Sequence, residues 1–301
     1  MLSNKFKFLF VLIFTLIYIT PAYATKTATF AKRKDVQKFI QTMHKKHKFD
    51  TKNLNTLFDT FGTEPKVLAL MSKQYEALPW YRYRDTVVTE KRTKEGVVFW
   101  NKHDVLLKKA EKQFGVPAEI IVAILGVETS YGQITGNYPV LQTLSTLAFD
   151  YPRRAPFFKA ELEHFLLLVK EGALHPITTR GSYAGAMGIP QFMPSSYKRY
   201  AVDFSGTGKR DLIHDIADVI GSVGNYLKAN GWQRDEKIIL KKTSNNGEMG
   251  KPIILEKNAT HAKEQWVGLH NFSVILRYNR SNHYAMAVYQ LSQKIRALRQ
   301  G

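Results

Sequence analysis

The chain has 301 residues, a formal net charge of +19 at neutral pH and no cysteine. The missing cysteines exclude a disulfide framework, a thiol nucleophile, a cysteine-ligated zinc site and a lipid-modified cysteine anchor. The charge speaks to partners rather than to fold and favours anionic polymers or surfaces. No nucleic-acid motif accompanies it, so nucleic acid is not an expected partner.

Residues 1–24 read as a leader. Lys5 and Lys7 precede the apolar run Phe8 to Ile19, and Pro21 with Ala22-Tyr23-Ala24 supplies a small-residue cleavage site. The run is shorter than the roughly 20 residues a membrane-spanning helix needs. The expectation is export to the periplasm with cleavage near Ala24 and no stable membrane anchor afterwards.

From there helical periodicity dominates. Val36, Phe39, Ile40 and Met43 recur at helix spacing, as do Leu54, Leu57, Phe58 and Phe61 before Gly62. One long helix is expected from Lys94 to Phe114, with Phe99, Leu106, Ala110 and Phe114 inward and Gly115 as its stop. Pro117 opens the next helix at its first turn. Further helices fit Val140 to Phe149, Phe157 to Glu171, Asp215 to Asn230 and His283 to Arg299.

Two stretches break the rhythm. Thr178 to Pro194 is rich in glycine and small residues and reads as an ordered loop. Lys237 to Tyr278 alternates apolar and polar residues, with strands expected at Ile238 to Leu240, Ile253 to Leu255 and Val274 to Leu276 around a turn at Asn245-Asn246-Gly247. The fold class is therefore mainly α, of the α+β kind. The segments are the leader 1–24, a helical region 25–93, a helical core 94–236, a β insertion 237–276 and a C-terminal segment 277–301.

One position stands out chemically. In the helix after Pro117 the inward stripe runs Ile121, Ile124, Leu125 and then Glu128. A carboxyl group among apolar side chains has its pKa raised, and a carboxyl kept protonated near neutrality is what a general acid requires. Taken alone, a helix-end glutamate turned to solvent is the simpler account. The residues that follow, Thr129-Ser130-Tyr131-Gly132 and Gly136-Asn137-Tyr138-Pro139, change the balance.

Glu128 followed by Ser130-x-Gly132 resembles the catalytic signature of lysozyme-like lytic transglycosylases. The run Ser182-Tyr183-Ala184-Gly185-Ala186-Met187-Gly188-Ile189-Pro190-Gln191-Phe192-Met193-Pro194 is similar to a loop of the lytic murein transglycosylase B family. So are Asp203-Phe204-Ser205-Gly206, the stretch Ile220 to Leu227, Arg277-Tyr278-Asn279 and Tyr284-Ala285-Met286-Ala287. These blocks occur in family order over about Lys94 to Gln293.

The resemblance implies a lysozyme-like helical core with a deep cleft and smaller flanking regions. It implies cleavage of the β-1,4 bond between N-acetylmuramic acid and N-acetylglucosamine in peptidoglycan glycan strands, without water and without a cofactor. Glu128 is then the sole acid and base, and the product carries a 1,6-anhydromuramyl end. By the same matching Ser182 and Gln191 lie near the reacting sugars, Tyr226 and Asn279 lie beside Glu128, and Tyr183, Tyr278 and Tyr284 offer faces and hydroxyls to sugar rings. Arg153 and Arg154 match an arginine pair suited to a stem-peptide or lactyl carboxylate.

The match weakens at Asp203-x-Ser205-x-Thr207-x-Lys209, where relatives carry a calcium loop. Thr207 replaces an acid, Lys209 adds positive charge and a residue is inserted before Asp218. Asp203, Ser205 and Asp218 remain, which implies a weak calcium site at most. His44 and His47 belong to no zinc motif, and Gly206-Thr207-Gly208-Lys209 lacks the spacing of a phosphate loop. Two other functions stay open at this point: a lysozyme-type hydrolase using water and a second carboxylate, and a wall-binding protein without catalysis.

Overall fold

The computed structural model describes residues 29–72, 78–243, 249–260 and 262–301. The leader and the Asn245-Asn246-Gly247 turn lie outside them. About 60% of the described residues are helical, as the mainly α expectation requires, with small sheets making up most of the rest of the regular structure.

The chain begins with α1 (Lys34–His47), α2 (Thr51–Phe58), α3 (Pro65–Ser72) and α4 (Trp80–Val87). Val36, Ile40 and Met43 of α1 and Leu54 and Phe58 of α2 are buried, as their spacing predicts. Asp50 caps α2 by accepting from Asn53 N at 2.7 Å. An aromatic cluster joins these helices to the body: Phe30 meets Phe61 at 5.6 Å and Phe149 at 5.8 Å. Helices α3 and α4 were not expected. Each is only eight residues long and buries a single residue, Val67 in α3 and Trp80 in α4, so no apolar period marks them.

The expected helix Lys94 to Phe114 is two: α5 (Glu90–Lys102) and α6 (Asp104–Phe114). They part at His103, whose ψ of 22° leaves the helical range. The break shifts the helical phase, so Leu107 rather than Leu106 is fully buried alongside Ala110 and Phe114. Gly115 ends α6 in the left-handed region, φ 74°, the conformation only glycine adopts without strain.

Helix α7 (Ala118–Thr129) follows, with Pro117 as its N-cap rather than within its first turn. Every residue from Ile120 to Gly126 is buried, so the single inward stripe expected from sequence is instead an apolar surface all round. A helix of that kind belongs inside a bundle, and α7 packs against α5, α6, α11 (Ile216–Ala229) and α13 (Asn282–Gln300).

Helices α8 (Val140–Asp150) and α9 (Ala155–Lys170) form an adjacent pair, and α10 (Pro194–Tyr200) lies on α9. A two-residue ladder ties the segment after α7 to the glycine-rich loop. It pairs β1 (Tyr138–Pro139) with β2 (Arg180–Gly181), Tyr138 opposite Gly181. The β insertion is a three-stranded antiparallel sheet in the order β3 (Ile239–Lys241), β5 (Lys263–Gly268), β4 (Lys251–Glu256).

The third strand expected there, Val274 to Leu276, is wrong. Those residues lie in helix α12 (His270–Tyr278). Their β-branched run suggests a strand, but Asn271, Phe272, Val274 and Ile275 are buried at helical spacing, and α12 packs against β5 and α13. Tertiary packing overrides the local preference.

Candidate active site

Glu128 sits in the last turn of α7, where the bundle's most apolar helix reaches the surface. The chain then turns sharply through two consecutive left-handed residues, Ser130 (φ 48°) and Tyr131 (φ 62°). Non-glycine residues pay a strain there and keep it only when their surroundings enforce it. Tyr131 is the enforcing group. Its ring stacks on Phe99 at 5.5 Å and its hydroxyl donates to Arg92 O at 2.7 Å.

Room for that phenol comes from two glycines. A Cβ at Gly96 would lie 2.5 Å, and one at Gly126 2.6 Å, from the Tyr131 hydroxyl. Thr129 completes the turn: its hydroxyl donates to Ile189 O at 2.8 Å and accepts from Gly132 N at 3.0 Å. The end of α7 is thereby joined to the glycine-rich loop.

The Glu128 residue as a whole is only partly buried, while its carboxyl group is closely surrounded. Burial pushes its pKa up to about 7, offset in part by the Tyr284 hydroxyl, which donates to Glu128 Oε1 at 2.7 Å. No second carboxylate is among the causes of the shift. Tyr284 stacks on Tyr278, with ring centroids 6.3 Å apart and planes 13° from parallel. Burial and the charge of Glu128 hold both phenols well above the ordinary tyrosine range, so they remain hydrogen-bond donors.

The aromatic wall continues outward. Tyr226 lies 4.8 Å from Tyr278 and donates to Arg277 O at 2.6 Å, while Tyr278 donates to Pro190 O at 2.6 Å. The structure thus gathers Glu128, Tyr226, Tyr278 and Tyr284 from α7, α11, α12 and α13. Asn279 follows Tyr278 at the exposed end of α12.

Ser182 and Gln191 both shape the glycine-rich loop. Ser182 Oγ accepts from Ala184 N and Ala186 N, at 3.3 and 3.1 Å, which leaves its own proton available. Gln191, itself at φ 50°, donates through Nε2 to Thr135 O and Gly188 O, at 3.0 and 2.9 Å. Arg153 and Arg154 occupy an exposed 3-10 turn before α9, with the Arg154 guanidinium 4.3 Å from the Phe157 ring centre. No hydrogen bond or ring contact joins them to the Glu128 cluster among the described residues.

Sequence reasoning missed Tyr83. It lies on α4, and burial, then the charge of Glu128, raises its phenol. No motif marked it, since α4 itself was not foreseen. It also missed Tyr131 as the plug of the turn, although its two glycine partners stand inside helices α5 and α7, where glycine is otherwise costly. A cavity of about 720 Å³ is lined by residues such as His175, Arg180 and Lys209 and not by Glu128. It adjoins the Gln191 loop through Thr135 and Gly188, whose carbonyls Gln191 holds.

The degenerate calcium loop is closed by its own backbone. Asp203 accepts from the amides of Gly206, Thr207 and Gly208, and Ser205 donates to it. The fully buried Asp218 accepts from the amides of Phe204, Ser205 and Asp211. Burial alone would raise the Asp203 pKa, but those backbone bonds outweigh it and hold the group below the usual range.

A helix-end glutamate enclosed by phenols, set beside a glycine-rich loop in a mainly helical body, marks a lysozyme-like enzyme of the lytic transglycosylase class. The Transglycosylase SLT domain family matches residues 31–250 and 240–293. The chain belongs to that family and is a lytic murein transglycosylase, a lyase acting on peptidoglycan. It is 40% identical to membrane-bound lytic murein transglycosylase B of Escherichia coli (strain K12) over 303 aligned residues, covering 88% of this chain and 84% of that protein.

Two solved structures agree. The soluble lytic transglycosylase SltB1 from Pseudomonas aeruginosa superposes with a TM-score of 0.82 at 40% identity, covering 89% of this chain and 100% of that one. The Escherichia coli lytic transglycosylase Slt35 in complex with bulgecin A gives 0.84 at 39% identity, covering 91% and 96%. Slt35 has also been solved in complex with calcium. Among the described residues no helix is long and apolar enough to cross a membrane.

Proposed function

We propose that Glu128 alone serves as acid and then base in cleaving the β-1,4 bond between N-acetylmuramic acid and N-acetylglucosamine. The protonated carboxyl gives its proton to the leaving glycosidic oxygen, and the bond to the muramyl C1 breaks. The carboxylate so formed removes the proton from the muramyl C6 hydroxyl as that oxygen attacks C1. The new 1,6-anhydro ring carries no added water, and Glu128 ends protonated as it began.

The observation that carries this reading is the enclosed Glu128 carboxyl, poised at about 7 by burial and Tyr284, with no second carboxylate acting on it. A two-carboxylate glycosidase needs a partner within about 5–10 Å. Tyr226, Tyr278 and Tyr284 line the sugar path, Ser182 and Asn279 offer polar groups to N-acetyl substituents, and Gln191 holds the loop that presents them. Arg153 and Arg154 meet a lactyl or stem-peptide carboxylate at the rim.

The protein acts in the periplasm on glycan strands, exported by the 1–24 leader and released near Ala24, with no nucleic acid partner and no cofactor. The loop closure around Asp203 and Asp218, with Lys209 in the same loop, supports a weak calcium site at most, and no step depends on it. Digestion of purified sacculi, with fragments weighed before any reduction, tests the reaction. Anhydromuramyl ends, each lighter by one water than a hydrolysed end, are the expected product. Reducible muramyl ends would restore a lysozyme-type hydrolase, and no new ends would leave only a wall-binding protein.

A further inference from the structure

The cavity of about 720 Å³ lies between the segment Glu171 to Arg180, which follows α9, and the loop Gly208 to His214. Its inner wall is the back of the glycine-rich loop. Thr135 and Gly188 line it, and their carbonyls are the two that Gln191 Nε2 holds. The outer loop is fastened to that wall. Ile189 N donates to Leu212 O at 3.0 Å, and a Cβ at Gly188 would lie 2.4 Å from the same oxygen. Arg180, in β2, stands two residues before Ser182.

The lining has unmatched positive charge. Its two acids are already engaged: Glu171 pairs with Lys198 and with Arg210 at 3.2 Å, and Asp211 takes the amides of Ile213 and His214 and the His214 ring. Arg180 and Lys209 form no ion pair among the described residues. Arg180 gives one N–H to Ile177 O at 2.9 Å, and the rest of its fork is uncommitted. His175 Nδ1 accepts from the amides of Ile177 and Thr178, at 3.2 and 3.1 Å, so its ring proton sits on Nε2 as a donor.

We propose that this cavity receives carboxylates of the stem peptide that branches from the muramyl residue, with Arg180 and Lys209 as its cationic contacts and His175 as a neutral donor. The inference rests on the proposed action on peptidoglycan strands. A glycan strand is uncharged along its sugar backbone, and its peptide branches carry several carboxylates each. An arginine fork with free N–H groups suits a carboxylate geometrically as well as electrostatically. The site is separate from Arg153 and Arg154. Those stand at the start of α9 and the cavity at its end, sixteen residues on, or roughly 24 Å along the helix.

The test compares two substrates: glycan strands bearing their peptides, and the same strands stripped by an amidase. The double variant Arg180→Ala/Lys209→Ala should lose about tenfold in kcat/KM on peptide-bearing strands, mainly through KM, as loss of charge-assisted contacts predicts. On stripped strands it should match wild type, and Arg180→Lys/Lys209→Arg, which keeps both charges but loses the fork at position 180, should restore only part of the loss. Equal loss on both substrates, or none on either, overturns the assignment. Wild-type protein that leaves both substrates uncut would refute the underlying reaction, and the cavity's role with it.

Discussion

Replacing Glu128 by glutamine should make the protein's stability less dependent on pH, in a direction that the enclosed carboxyl sets. In the folded wild type the pKa stands at about 7, against an ordinary 4.5. Below pH 4.5 the group is protonated in both folded and unfolded chains and contributes no difference. Between 4.5 and 7 the unfolded chain releases its proton while the folded one keeps it, so stability falls as pH rises. Above 7 the folded carboxyl is ionised and the full cost remains. At about 1.4 kcal/mol per pKa unit this comes to about 3 kcal/mol, an upper figure because the Glu128 residue as a whole is only partly buried.

Glutamine has nearly the same shape and never ionises. The variant should therefore match wild type in stability near pH 4.5 and exceed it by up to about 3 kcal/mol at pH 8. Denaturant unfolding of both proteins at five pH values from 4.5 to 8.5 measures the difference directly. The same variant should lose sacculus cleavage by about 10²–10⁴-fold, the usual contribution of a general acid or base. A stability difference that stays flat across the pH range would show that the cleft solvates Glu128 fully, and the argument from burial would fail.

Tyr284→Phe removes the one hydrogen bond that holds the Glu128 pKa down, so the alkaline limb of the kcat/KM profile should move to higher pH while kcat falls; an unmoved limb would deny Tyr284 that role. Gly126→Ala forces the Tyr131 phenol from its seat and should cost about 1–3 kcal/mol of stability, read by denaturant unfolding, as overpacking does. Exchange of calcium for a chelator should change the melting temperature little, because Asp203 and Asp218 are already satisfied by the loop's own amides; a rise of many degrees at sub-millimolar calcium would refute this.

What the sequence made legible were features with a long or local signal. Helices α8, α9, α11 and α13 stand within two residues of their expected ends, because these are long periodic runs with local stop signals, whereas the short α10 was not expected. Glu128 was singled out because it interrupts an apolar helix and because the residues after it match the family's signature, though the one-sided stripe expected for that helix was incomplete. The helix is buried on every face, and the carboxyl matters because it lies where that helix emerges. The two-helix structure of 90–114 was hidden, since the kink at His103 leaves only a one-position shift from Leu106 to Leu107. Helix α12 was hidden by its β-branched residues. Tyr83 was hidden for a different reason: its nearness to Glu128 depends on how α4 packs against α13, a contact between distant segments that no local pattern carries.

The absence of water from the proposed product follows from a competition that the cleft biases. After the leaving oxygen departs, two nucleophiles can reach C1: bulk water, and the C6 hydroxyl of the same sugar. A well-oriented intramolecular group acts at effective concentrations of up to about 10⁵–10⁸ M, against about 55 M for water. That advantage holds only if the sugar is held in the geometry that brings its C6 oxygen over C1. The rigid parts of the site supply such a hold: Tyr284 and Tyr278 stacked beside Glu128, and a glycine-rich loop pinned by Thr129, Ser182 and Gln191. In the proposed reaction Glu128 also changes roles within one turnover, and a pKa near 7 suits both. A much lower value would leave too little acid to protonate the leaving group, and a much higher one would make proton donation too unfavourable. Burial raises the pKa and Tyr284 restrains it.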